Sequence, residues 1–439
     1  MPHRHVLTAL LLALTLALPQ LARAAPPAPW GTGESRPEDL QVTLVTFGVG
    51  PEIPSWFGHT ALVVEDTRLR TARLYNYGMF SGSGEMLARF AMGRLEFYVG
   101  DTSQVTGTYR FYAAENRHVR LQRLNLTPER RAKLAKALAD NVLPENRDYL
   151  YHHYFDNCAT RPRDIIDDAL GGQLAEQGRA PARMTLRDHT RRHSHVFPPM
   201  SVLLDFLMND EIDRPITRWE ELFLPGELES LVANATWRDS DGTERPLVAE
   251  QRTWFKADRF EPPAQVPNYF PWLLLLGVSL GAVGLLLSLW HRRKPPARLP
   301  RVFFGLWNAL LGLVFGLPGL VLFLMWTFTD HTVTWRNENL LLASPVTFFA
   351  LPFGLAVAFG RRWAGHALRS TWLLLAGTSV LGVLLKLLPM FDQDNWRRVA
   401  LLLPVNLALA AAAVLYEAHA RRVTVAERPA AGASTTTAA

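Results

Sequence analysis

One cysteine, Cys158, stands in a chain of 439 residues, so no disulfide can form within the chain. Paired cysteine and histidine ligands at zinc spacing are also missing, and the sequence points to no metal and no other cofactor. Basic residues outnumber acidic ones, for a formal net charge of +6. Yet the arginines and lysines gather beside apolar runs or scatter over expected helices. No surface interleaves aromatic with basic residues, which argues against a nucleic-acid partner. No internal repeat is visible, which excludes a solenoid.

What is present begins with an export signal. His3 and Arg4 precede an apolar run at 6–18, and Ala22-Arg23-Ala24 has the small-x-small form of a cleavage site. Residues 1–24 therefore read as a signal peptide. No cysteine follows the cut, so the product is not itself a lipoprotein. A lone cysteine is ordinarily a small buried hydrophobe. An exported one has no partner in its chain and faces oxidants, so chemistry explains Cys158 better than packing does.

The rest divides in two. Residues 25–39 are rich in proline and glycine and read as a tether, and 40–264 form a charged, mixed-pattern domain expected to be α+β. Strands are expected at 41–49, 60–65, 74–77, 95–100, 106–113 and 119–124. A short helix at 85–92 would place Met86, Leu87 and Phe90 on one face, and a helix at 127–141 has Thr127 as N-cap and Pro128 at its first position. A proline-rich linker at 265–271 leads to an all-α membrane domain over 272–422. Five apolar spans are expected there, at 272–290, 302–326, 340–360, 372–391 and 399–417, each near the roughly 20 residues a bilayer needs. Loops 291–301, 361–369 and 419–422 are arginine-rich and belong on the cytoplasmic side. Loops 327–339 and 392–398 then share the side to which the signal exports the first domain. Residues 423–439 read as an unstructured cytoplasmic tail.

The chemistry centres on 151–170, YHHYFDNCATRPRDIIDDAL. Asp156 and Asn157 are N-cap types, Ile165, Ile166, Ala169 and Leu170 recur at helical spacing, and Gly171-Gly172 ends the helix. That pattern puts Cys158 in a first helical turn, where free N–H groups and the macrodipole favour the thiolate. A cysteine nucleophile needs a base, and His59, at the start of a strand after Trp56-Phe57-Gly58, is best placed. Asn76 on the next strand is the first candidate to orient it, with Asp66 second. Backbone N–H groups of Cys158 and Ala159 would form an oxyanion hole. Asn157, Arg161 and Tyr77 are counted with the substrate or oxyanion residues. His152 and His153 are expected to pack or to bind substrate, and His189, His193 and His195 to lie on a solvated basic face.

Three stretches resemble a known family: FGHTALVVED at 57–66, LYNYGMF at 74–80 and YHHYFDNCATRPRD at 151–164. Together they resemble the periplasmic domain of the Lnb-type lipoprotein intramolecular transacylases. Asp330-His331, Thr334 and NENLLL at 337–342 resemble the polar loop and following span of that family's membrane domain, so His331 and Asn337 join the candidate substrate residues. The resemblance covers most of 41–417. It implies a circularly permuted NlpC/P60 (papain-like) fold, with the histidine strand before the cysteine helix, followed by a five-helix transmembrane domain. The implied partners are the membrane and a lipoprotein or phospholipid acyl substrate. The implied reaction moves the sn-2 acyl chain of a diacylglyceryl-cysteine to that cysteine's α-amino group through a Cys158 thioester, with His59 as base and then acid. Two other readings stay open. One is the same nucleophile with water as acceptor, as a peptidoglycan amidase-peptidase or lipid hydrolase; the other is a membrane-anchored sensor or scaffold that is not an enzyme.

Overall fold

Alternation along the first strands sets both faces of the sheet. In β1 (Leu40–Phe47), Leu40, Val42 and Leu44 enter one core and Val45 and Phe47 another. β2 (His59–Asp66) repeats this, with Leu62 and Val64 on the first side and Ala61 and Val63 on the second. A strand buried on both faces belongs in the middle of a sheet. The computed structural model, which describes residues 27–80, 84–293 and 298–426, places both there. With β3 (Thr71–Met79), β4 (Glu96–Thr102), β5 (Val119–Leu124), β6 (Asp148–Leu150) and β9 (Val248–Phe255), they form a seven-stranded antiparallel sheet of order β6-β4-β3-β2-β1-β5-β9. β7 (Thr236–Arg238) and β8 (Glu244–Pro246) make a separate hairpin.

The helix Pro128–Asn141, capped by the Thr127 hydroxyl as expected, lays Leu134, Ala135 and Leu138 on the first face. The helix Thr160–Leu170 adds Ile166, Ala169 and Leu170 beside it. The second face is covered by Val105–Ala114, expected as a strand over 106–113 and found to be a helix. Val105, Tyr109 and Tyr112 recur at helical spacing and meet that face, so tertiary packing overrode the alternation of aromatic residues.

Among the described residues, four helices are long and apolar enough to cross a membrane: Phe270–His291, Arg298–Phe328, Arg362–Leu385 and Trp396–Ala418. The span expected at 340–360 is instead a bent pair, Thr332–Leu341 and Pro345–Ala358, meeting at 60°. Pro345 has no N–H and disfavours helix at the residue before it. Ser344 accordingly turns extended and caps the new helix, its hydroxyl accepting from Val346 N at 3.3 Å. The carbonyl freed at Leu342 accepts from Asn406 Nδ2 at 2.8 Å, so the break lies against protein rather than lipid. The expected signal at 1–24 and the tail beyond 426 lie outside the described residues.

The two halves meet in a shared core, where Phe206 packs with Leu273, Leu322, Leu342 and Val399. Both loops expected on the side of the first domain reach it. Asn209 N donates to Val333 O at 2.7 Å, and Asp394 pairs with Arg191.

Candidate active site

Cys158 lies just outside the helix, two residues before its start, rather than in the first turn the sequence pattern implies. The helix begins at Thr160 with Ala159 at its N-cap position, so the thiol precedes the first turn. The capping is done by Asn157, whose Oδ1 accepts from Ala159 N at 2.8 Å and Thr160 N at 3.0 Å. Its Nδ2 donates to His153 O at 2.7 Å and Phe223 O at 3.1 Å. Two expectations are corrected. The Ala159 N–H is spent on Asn157 and is not a free oxyanion donor, and Asn157 is a saturated cap rather than a substrate residue. The expectation of a thiolate also fails. Burial pushes the Cys158 thiol up to about 11, against the opposing pull of the Thr60 and Cys158 backbone and of Arg117. Removal from water outweighs the N–H groups that favour charge.

His59 opens β2. Its Nε2 lies 2.7 Å from Asn76 Oδ1. An amide oxygen only accepts, so Nε2 carries the proton and Nδ1 is left as the basic nitrogen. Burial lowers the imidazole to about 4; the Asn76 bond opposes this, and the charge of Arg117 adds to it. Phe47 and Tyr112 stack on the same ring at 6.1 Å each. Asp66, the second candidate orienter, instead accepts from Leu69 N at 2.8 Å and holds the β2–β3 turn.

A glycine lies between His59 and Cys158. Ala61 pairs with Asn76 across β2 and β3, and continuing that register puts His59 opposite Gly78. Gly78 has a φ of 94°, and the register against β4 shifts between Asn76 and Met79. A Cβ built on it would lie 3.7 Å from Cys158 Cβ and 4.0 Å from His59 Cε1. The turn bearing Cys158 and the His59 ring thus flank one methyl-sized gap at the end of a strand. Sequence reading passed Gly78 over as a strand end, although a glycine inside a strand pattern is itself a sign of a bulge or close approach.

Arg117 was missed as well, and nothing local announces it. It is 5% exposed, lies over the Tyr112 ring at 4.6 Å and donates from Nε to Gly48 O at 2.8 Å. Its charge acts on both Cys158 and His59. The other sequence candidates have structural partners. Arg161 grips Asp156 with Nε and Nη2 at 2.6 and 2.9 Å and stacks on Tyr149 at 3.8 Å. Tyr77 is buried and accepts from Asn141 Nδ2 at 2.9 Å. Asn337 is buried, donating to Phe206 O at 3.2 Å and accepting from Asn339 N at 3.0 Å, so it shapes the loop rather than presenting itself to a substrate. Burial lowers the His331 imidazole, opposed by the nearby backbone of Phe90 and Ala91.

The basic segment departs furthest from expectation. In the helix Leu186–Ser194, His189 and His193 are buried together with Arg187, Arg191 and Arg192, not on a solvated face. Acidic partners explain this. Asp205 accepts from Arg187 and Arg398 at 2.8 Å and from Arg191 at 3.1 Å, and Asp213 pairs with Arg187. His193 Nδ1 bonds Trp56 O at 2.9 Å and its ring stacks on Phe57 at 5.3 Å, while His153 meets Phe57 edge-on at 4.6 Å. These histidines brace the loop that delivers His59. Burial holds His153 at about 4 and His193 at about 3.

Among the described residues, His189, Glu221 and Glu227 form one group of potential metal ligands, with ligand atoms within 4.8 Å of one another. Glu221 already bonds His189 Nε2 at 2.6 Å and Glu227 already bonds Arg192 at 3.0 Å, which suits an ion-pair network better than a cation. Cys158 takes no part in it. Nor does Cys158 line either of two surface hollows, of about 690 and 300 Å³.

The comparisons with known proteins align with this layout. The Lnb N-terminal periplasmic domain model matches residues 27–192, which hold His59, Asn76, Gly78 and Cys158. The Lnb transmembrane domain model matches residues 267–394. No curated protein and no solved structure matches the chain. With both domains present in sequence and most of the described chain between them, the protein belongs to the Lnb family and is a multi-pass membrane protein with a periplasmic domain.

Proposed function

We propose that this protein is a membrane-anchored cysteine acyltransferase that moves the sn-2 acyl chain of a diacylglyceryl lipoprotein to its N-terminal amine, leaving a lyso-form product. The observation that carries this reading is the His59–Asn76 bond at 2.7 Å beside a gap shared with Cys158, in a domain seated on apolar helices. An ester at a membrane surface is within reach of a thiol tethered there. We also read the 40–264 domain as a permuted NlpC/P60 fold and place the protein in the cytoplasmic (inner) membrane of a bacterium, with 272–422 as the anchor.

In the first half-reaction Cys158 Sγ attacks the ester carbonyl as His59 Nδ1 takes the thiol proton. Because the resting pair is neutral, proton transfer and attack are coupled. Backbone N–H groups of Thr60 and Cys158, both acting on the sulfur, serve the tetrahedral oxyanion in place of Ala159. Collapse breaks the ester C–O bond, His59 returns the proton to the departing glycerol oxygen, and a thioester remains on Cys158. The free amine then attacks that thioester, His59 accepts its proton, and an amide forms as the thiol is released. No oxidant or cofactor enters this balance.

The test is mass spectrometry of the N-terminal peptide of a lipoprotein co-expressed in cells lacking their own N-acyltransferase. An N-acyl, monoacylglyceryl peptide with wild-type protein, absent with Cys158→Ala and His59→Ala, supports the reading. Diacyl peptide in all three samples, with each protein present in the membrane, overturns it.

A further inference from the structure

The connection between β3 and β4 exposes apolar surface that neither the sheet nor the catalytic pair uses. Phe80, Phe90 and Met92 are 54%, 48% and 48% exposed. Phe90 belongs to the helix Gly84–Ala91, and Met92 follows it directly. Three large apolar side chains presented by one connection mark a surface that is covered in use.

What covers them follows from where the connection is tied. Asp330 N donates to Met92 O at 2.8 Å, and Arg94 Nε donates to Asp330 Oδ2 at 3.0 Å. Gly93 makes the approach possible: its φ is 85°, and a Cβ there would fall 2.6 Å from the Asp330 carbonyl carbon. Asp330 follows by two residues the end of the span Arg298–Phe328. That span has 31 residues. At about 1.5 Å per residue it measures roughly 46 Å, the depth of a bilayer with its headgroups rather than of the hydrocarbon alone. Its outer end carries exposed Trp326 and Phe328, with exposed Trp335 beyond, the aromatic composition of a membrane–water interface. The helix Gly84–Ala91 is therefore pinned at the level where a span leaves the lipid.

We propose that the helix Gly84–Ala91, with its flanks Phe80 and Met92, lies in the outer lipid–water interface and inserts Phe80, Phe90 and Met92 among the lipid chains. The partner is the bilayer leaflet itself. Resting on the acyl-transfer reading above, the placement has a consequence for substrate. Phe80 meets Phe97 at 5.4 Å, Phe97 stacks on Tyr151 at 4.4 Å, and Tyr151 lies within electrostatic reach of Cys158. An acyl chain leaving the leaflet would meet an aromatic ladder on its way to the thiol and need not cross open water.

The single native cysteine makes the test clean. In full-length Cys158→Ser protein, Phe90→Cys, Met92→Cys and, as a water-exposed reference on the β7–β8 turn, Ser240→Cys are each labelled with an environment-sensitive fluorophore and placed in phospholipid nanodiscs. Quenching is measured with aqueous iodide and with phospholipids spin-labelled near the headgroup. Positions 90 and 92 are expected to be quenched by the lipid label and protected from iodide several-fold relative to position 240. Iodide access equal to that at position 240, or protection from both quenchers through burial in protein, overturns the proposal. The readout is made without a thiol at position 158, so it stands or falls independently of acyl transfer.

Discussion

Asn76→Ala removes the one side chain that fixes the tautomer of His59. The bond lost is 2.7 Å long and pairs a buried N–H with a neutral acceptor. An N–H left unsatisfied in such a place costs about 1–3 kcal/mol. Added freedom of the ring lets the proton reside on Nδ1, which then has no lone pair for the thiol. Taking about 2–3 kcal/mol for the combined loss gives a rate lower by roughly 30- to 150-fold. Asn76 touches the base and not the substrate, so the loss belongs in kcat, with KM for the acyl donor unchanged. Asn76→Asp keeps an acceptor and adds a charge that favours the imidazolium, so it is expected to recover most of the rate and to shift the acid limb of the pH profile upward. The assay is the initial rate of N-acyl peptide formation in membranes from pH 5 to 9, with each variant first checked for an unaltered thermal midpoint in detergent. Asn76→Ala within about twofold of wild type, or a loss confined to KM, refutes the orienting role.

Other outcomes follow from the same geometry. Gly78→Ala places a methyl in the gap between His59 and Cys158 and forces a β-carbon onto a φ of 94°, so turnover is expected to fall far more than the about 1–2 kcal/mol of backbone strain would explain; a variant with wild-type turnover removes Gly78 from the site. Asp205→Ala leaves Arg187, Arg191 and Arg398 buried without their shared carboxylate and is expected to cost about 3–5 kcal/mol, read as a lower thermal midpoint in detergent. An unchanged midpoint there would mean water already reaches these arginines. His59 and His153 at about 4 and His193 at about 3 stay neutral in the folded protein while the unfolded chain takes up protons below the ordinary histidine value of 6.5. The unfolded state then binds more protons, so stability is full above that value and is lost as pH falls toward the folded pKa values. Thermal midpoints measured from pH 7.5 to 4.5 should drop along that course, and a flat profile contradicts the neutral burial of the three rings.

Cys158, His59 and Asn76 were legible as candidates because each sits at a local signal. Cys158 is a lone exported thiol beside N-cap residues, His59 opens an alternating strand, and Asn76 falls on the strand that pairs with it. The structure brings the three together around Gly78, but with the thiol pushed up and the imidazole pushed down by burial rather than as the thiolate the sequence pattern implied. The helix that looked able to hold a thiolate starts at Thr160, and the backbone N–H expected to face the oxyanion is taken by Asn157. A cap signal says that a donor will be satisfied; it does not say which side chain will satisfy it.

The sequence by itself determined what alternation, helical spacing and hydropathy record along the chain. These were the first strands, the capped helix after Thr127, the apolar stretches of the second half, and the motifs that identify the family. Tertiary structure alone decided what depends on partners distant in the chain. The segment holding Arg187, Arg191 and His193 is polar by any local measure, yet it is buried, because Asp205, Asp213 and Asp394 arrive from three other segments to meet it. Arg117 acts on Cys158 from 41 positions away in sequence, and the span broken at Pro345 is sustained by an amide from Asn406. Periodicity reports which face of an element is apolar. The cost of burying charge depends on what stands opposite, and that information resides in the fold.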